Sequence, residues 1–119
     1  MDRKEQQIEL LQTVNDYCGR LLPAMNEVIG ELKGEKKEDT VEFLIQIIDG
    51  FNFVIEAYNV TRDLINEDGN VINDSELEDA VQRLSKVMIA KEYEKAADIL
   101  ESDVIAFIDK VKGRTEAFV

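Results

Sequence analysis

Apolar residues recur between Thr40 and Ile65 at Val41, Leu44, Ile48, Phe51, Ile55, Tyr58 and Ile65, in steps of three and four that only Arg62 interrupts. That spacing is the a/d seam of a heptad and predicts one side of a helix. The neighbouring pairs Leu44-Ile45 and Ile47-Ile48 break the alternation a half-buried strand needs. A second apolar set, Ile45 at e with Ile47 and Val54 at g, spreads the stripe over roughly half the circumference. A helix that greasy needs neighbours on two sides. Asp39 and Thr40 both suit its N-cap, and Asp39 with Glu42 has the form of a capping box. Gly50 costs about 1 kcal/mol against alanine inside a helix, and Asp49-Gly50 reads alternatively as a turn. Because the heptad register crosses it intact, one continuous helix is predicted.

Three more seams flank this one. Leu11, Val14, Cys18, Leu21, Met25, Val28 and Leu32 predict a first helix from about Arg3 to Leu32, widened by Leu10, Tyr17, Leu22 and Ile29. Pro23 lies inside it. A proline there lacks an amide hydrogen and crowds the carbonyl of Gly19, so a kink near Pro23 is predicted, with two helices broken near Gly19–Pro23 as the alternative. After the turn-rich stretch Asn66–Leu77, Ser75 with Glu78 has the form of a capping box. It opens a third helix with Leu77, Val81, Leu84 and Met88 on its seam, and Ala80 and Val87 beside them. A turn near Lys91–Tyr93 leads to Tyr93, Ala97, Leu100, Val104, Phe107 and Val111, with Gly113 placed to cap the last helix. The charged segments between helices are short. The expected fold is therefore all-α, an antiparallel up-down-up-down four-helix bundle over residues 1–112, followed by a flexible tail over 113–119.

A chain of 119 residues accommodates one such domain. Its net charge of −12 argues against nucleic acid and against an anionic membrane surface as partners. The charge is concentrated: residues 38–74 carry nine acidic groups against one basic. A partner steered by charge is thus basic and meets the middle helix. No apolar run approaches the ~20 residues of a membrane span, and MDRKEQQIELL has no signal-peptide core. The lone Cys18 permits no intrachain disulfide, so a soluble, cytoplasmic protein is expected.

With no histidine, the chain lacks Ser-His-Asp and Cys-His nucleophilic systems and the Glu-x-x-His di-iron site. Its six glycines are scattered, so no phosphate-binding loop forms. No carboxylate occupies a seam position whose apolar surroundings would raise its pKa for acid–base work. A non-enzymatic protein without a cofactor is expected. The outer face of the middle helix is the candidate site. Glu42, Asp49, Glu56 and Asp63 form an acidic column at position b, beside Phe53 and Val60 at f and Phe43 at c. Aromatic groups on a face that should be wet point to a partner, and the acidic column suits a basic amphipathic segment. A homodimer seam and cover by the chain itself are the alternatives.

Two short stretches have familiar shapes. Asn66-Glu67-Asp68-Gly69-Asn70-Val71-Ile72-Asn73-Asp74-Ser75-Glu76-Leu77 resembles an EF-hand calcium loop, which implies oxygen ligands from Asn66, Asp68, Asn70 and Glu76. It lacks the sixth-position glycine of that loop, is one residue short and begins with Asn in place of Asp. Weak calcium binding is the alternative function. Lys91–Ser102, KEYEKAADILES, is similar to the turn and helix start of a tetratricopeptide repeat, without a second repeat to stack on. In size, acidity and helical pattern the whole chain resembles small acidic all-helical proteins of unknown function from Gram-positive bacteria. It is also similar to flagellar export chaperones in size and helix content, which implies a bundle that holds a partner's helix.

Overall fold

A computed structural model describes residues 2–67, 69 and 72–119. Its elements are α1 (Arg3–Lys33), α2 (Thr40–Ile65), α3 (Asp74–Ile89), α4 (Tyr93–Ile99), a π-helical turn (Leu100–Val104), α5 (Ile105–Thr115) and a 3₁₀ turn (Glu116–Phe118). The protein is all-helical, with no strand among the described residues. From α4 to α5 the backbone stays helical, so the described residues make four rods.

α1 starts where Asp2 accepts a hydrogen bond from the Lys4 amide at 2.8 Å and runs unbroken through Pro23. The alternative of two helices does not occur. Pro23 and Gly19 are both exposed, so the hydrogen bond the proline removes lies on the side water can reach. All seven expected seam residues of α1 are buried.

In α2 the seam is turned from the expected one. Thr40, Leu44, Ile47, Phe51, Val54, Tyr58, Thr61 and Ile65 are buried, in alternating steps of four and three with no fault. The d column is as expected, but its companion is g; Val41, Ile48 and Ile55 at a are only half-buried. Two causes act together. The small residues Gly50 and Ala57 at c let α1 approach from that side. The two threonines at g carry hydroxyls that the structure satisfies: Thr61 donates to the Ala57 carbonyl at 2.6 Å, and Thr40 donates to Glu31 at 2.8 Å while accepting from the Lys37 amide at 2.7 Å. Arg62 is then no interruption; its guanidinium lies 5.2 Å from the centre of the Tyr58 ring. Ile47→Val should cost about 1 kcal/mol and Ile48→Val less than about half of that. Paired urea melts check this, and equal losses would restore the a/d seam.

Contacts fix the directions of the rods. Gln7 donates to the Val60 carbonyl, Tyr17 packs on Phe53 and Glu31 meets Thr40, so α1 and α2 are antiparallel. Asn15 donates to the Lys112 carbonyl and Lys33 pairs with Asp98 and Glu101, so α1 also runs antiparallel to α4 and α5. Phe107 joins α5 to α2, its ring centroid 5.8 Å from Phe51 and 5.9 Å from Tyr58 in edge-on contact. α3 is held differently. It begins beside Tyr58, whose hydroxyl donates to Asp74 at 2.7 Å, and is tied to the π turn by the Arg83–Asp103 pair. Of its apolar residues only Ala80 and Leu84 are buried.

Three helix ends differ from expectation. Asn73, not Ser75, caps α3, accepting from the Ser75 and Glu76 amides at 2.9 and 3.2 Å. Asp39 is the N-cap of α2 but makes no side-chain cap bond; the buried Thr40 hydroxyl supports that turn instead. Gly113 does not end α5, which continues to Thr115. Thr115 is buried, its hydroxyl accepting from Asn15 at 3.0 Å and donating to the Lys112 carbonyl at 2.9 Å. Lys112 pairs with Glu116 one turn on, and the Phe118 carbonyl accepts from Gln12.

Candidate functional site

The turned seam decides what the outer face of α2 presents. With g, c and d inward, position b points outward, and Glu42, Asp49, Glu56 and Asp63 are all exposed. Among the described residues, only the lower end of this column has a partner on another helix, Gln7 Nε2 reaching Asp63 at 3.2 Å. The column separates two apolar strips.

The strip foreseen from the sequence lies on the α1 side. Val60 is 55% exposed and Phe53 37%. Phe53 meets Tyr17 edge-on at 5.3 Å between ring centroids, so one side of its ring is covered within the chain. Phe43 is half-buried against the core. The three apolar site residues therefore lie along the α1–α2 boundary, next to the acidic column.

The other strip escaped the sequence reading. Ile45 is 48% exposed, and Ile48 and Ile55 are half-buried on the side facing α3. Across from them stand Val81, Met88 and Ile89, the last 82% exposed. Between the two helices runs a cleft of about 340 Å³ with Phe51 and Leu84 in its lining. A second cleft, of about 620 Å³, follows it past Ile55 and Leu77, and the two share Asn52 and Val81. The sequence signals were present but quiet: Ile45 sat off the seam, and Ile89 fell one place beyond the last seam residue of α3.

Near the loop that resembles a calcium site, Asn66 is engaged in holding the fold. Its side chain donates to the Tyr58 hydroxyl at 3.1 Å and accepts from the Ile72 amide at 3.3 Å. Asp68 and Asn70 lie outside the described residues. Glu76 is exposed on the first turn of α3. Asp74 accepts from Tyr58 and pairs with Arg62 at 3.6 Å; burial, with this bond to Asp74, pushes the Tyr58 phenol above its usual pKa. Among the described residues no three His, Cys, Asp or Glu converge as a metal site, and no helix is long and apolar enough to cross a membrane.

Cys18 is fully buried on the α1 seam, and burial pushes its thiol up to about 11, against a smaller downward pull from Lys112. A thiol so held is inert. Disulfide-exchange reagents at pH 8 should react with it only in denaturant. Above pH 9 the unfolded thiol loses its proton while the folded one keeps it, so stability falls as pH rises toward 11, by at most about 1.4 kcal/mol per pH unit. Urea melts of the wild type and Cys18→Ala across that range isolate the effect, since the variant should fall less steeply.

A family model described as a domain of unknown function (DUF8042) matches residues 9–114. No curated protein and no solved structure matches the chain.

Proposed function

The chain belongs to that DUF8042 family, and we propose that it works without catalysis, as a protein–protein interaction module of chaperone or adaptor type. We read its four rods as an up-down-up-down bundle in the cytoplasm, presenting the outer face of α2 to a basic amphipathic segment. The observation that carries this reading is the acidic column Glu42, Asp49, Glu56 and Asp63, exposed along its whole length with apolar side chains on both sides. Water-exposed apolar groups gain when a partner covers them. The column steers and orients a cationic segment, and gives it a faster encounter rather than most of its affinity.

The test uses two dye-labelled synthetic peptides of about five helical turns and identical Leu/Lys composition. One gathers its leucines on a single stripe; the other spreads them evenly around the helix. Fluorescence anisotropy should show the striped peptide binding about tenfold tighter or more, since each leucine brought out of water contributes on the order of 1.5–3 kcal/mol. Equal affinities would mean that charge alone attracts the peptides, and the module reading would fail.

A further inference from the structure

We infer that the apolar seat of this interaction is the cleft between α2 and α3, and that its occupant is a basic amphipathic helix laid lengthwise between them. This rests on the interaction reading above and assigns it a place, away from Phe53 and Val60. Ile45 and Ile89 stand exposed at the mouth, Ile48, Val81 and Met88 line the walls, and the trough continues past Ile55 and Leu77. From Ile45 to Ile55 the α2 wall rises about 15 Å. A helix with apolar residues at i, i+3 or i+4, i+7 and i+10 or i+11 covers about that length and sets its first side chain between Ile45 and Ile89, the middle ones against Val81 and the last near Leu77.

Charge selects the occupant. Asp49 lies at the α2 edge of the trough and Glu78 lines its continuation on α3, beside the acidic column. Arg62, which also lines the continuation, pairs with Asp74. On α3, Arg83 is engaged by Asp79 and Asp103, and Lys86 lines an adjoining hollow with Asp79, Val81 and Ile89 rather than the trough itself. A second copy of the chain would bring the same acidic edge and its own net charge of −12 against this one, and like charges in register oppose association. A small apolar ligand would be enclosed over most of its surface, whereas this trough is bordered by exposed residues along its length. Lysine and arginine flanking an apolar stripe satisfy both edges and floor.

The experiment repeats the striped-peptide titration on the full chain with two pairs of uncharged substitutions. Ile45→Ser with Ile89→Ser should weaken binding about tenfold or more, while Phe53→Ser with Val60→Ser, or Val60→Ser alone, should change it less than about twofold. The reverse pattern would overturn the seat and leave the module reading standing. A wild type that does not prefer the striped peptide removes both. Sedimentation that shows a dimer dissolved by Ile89→Ser would overturn the occupant in favour of a second copy.

Discussion

Phe107→Ala is expected to cost about 3–5 kcal/mol and to lower the urea midpoint by about 1 M or more with little change in slope. Phe107 is the ring through which α5 meets α2, edge-on to both Phe51 and Tyr58, and all three are buried. Each edge-on contact adds about 0.5–1.5 kcal/mol to what burial alone supplies. Removing the ring leaves a cavity that three helices cannot close without abandoning other contacts. Against a whole-domain stability of about 5–15 kcal/mol, such a loss is a large share. Phe107→Leu keeps most of the volume and loses the ring contacts, so it should fall by roughly a third as much. A loss below about 1 kcal/mol for the alanine variant would place Phe107 outside the core.

The second large effect belongs to Gly50. A Cβ at that position would stand 2.2 Å from the Tyr17 hydroxyl and 3.1 Å from Leu21 Cδ1. At Gly50 the Tyr17 and Leu21 side chains of α1 therefore lie directly over the α2 backbone, and its lost helix propensity is the cost of that approach. Alanine there combines a gain of about 1 kcal/mol in helix propensity with displacement of the half-buried Tyr17 ring, so its net effect is small. Leucine has nowhere to go. Gly50→Leu should force the two helices apart and cost about 3 kcal/mol. Tyr17→Ala in the same chain vacates the space and should return a measurable part of the loss, read by thermal melting of the single and double variants. A Gly50→Leu protein as stable as the wild type would show that α1 does not lie where the structure has it.

Much of this architecture was legible in the sequence because the three-four spacing reports burial directly. Every seam residue assigned to α1 is buried, and Leu100, Val104, Phe107 and Val111 are buried too. The orientation of α2 was not legible, for a specific reason. Its d column, Leu44, Phe51, Tyr58 and Ile65, belongs equally to a d/g and an a/d stripe. The side that breaks the tie contains Thr40 and Thr61, which hydropathy counts as neutral. A threonine enters a core when its hydroxyl finds a carbonyl within its own helix or a neighbouring side chain, and both do. Arg62 in the supposed seam was the visible warning. The acidic column was legible because charge at a fixed heptad position survives a rotation of this size, and it stays outward either way. The apolar strip toward α3 was not, since it depends on how closely α3 settles against α2, and no local pattern encodes that distance.

Leu100–Val104 is wound as a π turn, in which the Ile105 amide reaches the carbonyl of Leu100, five residues back. Such a turn holds one residue more than an α-helical turn while the stripes before and after stay in phase. The last rod thus contains a spare position. Deleting the exposed Ser102 should let the turn tighten to ordinary helix with Phe107, Val111 and Thr115 still facing α1 and α2. Deleting the equally exposed Ala106 would swing everything after it by about 100° about the axis. Length variation in this rod is therefore tolerable at one place, and circular dichroism melts of the two single-residue deletions should separate sharply.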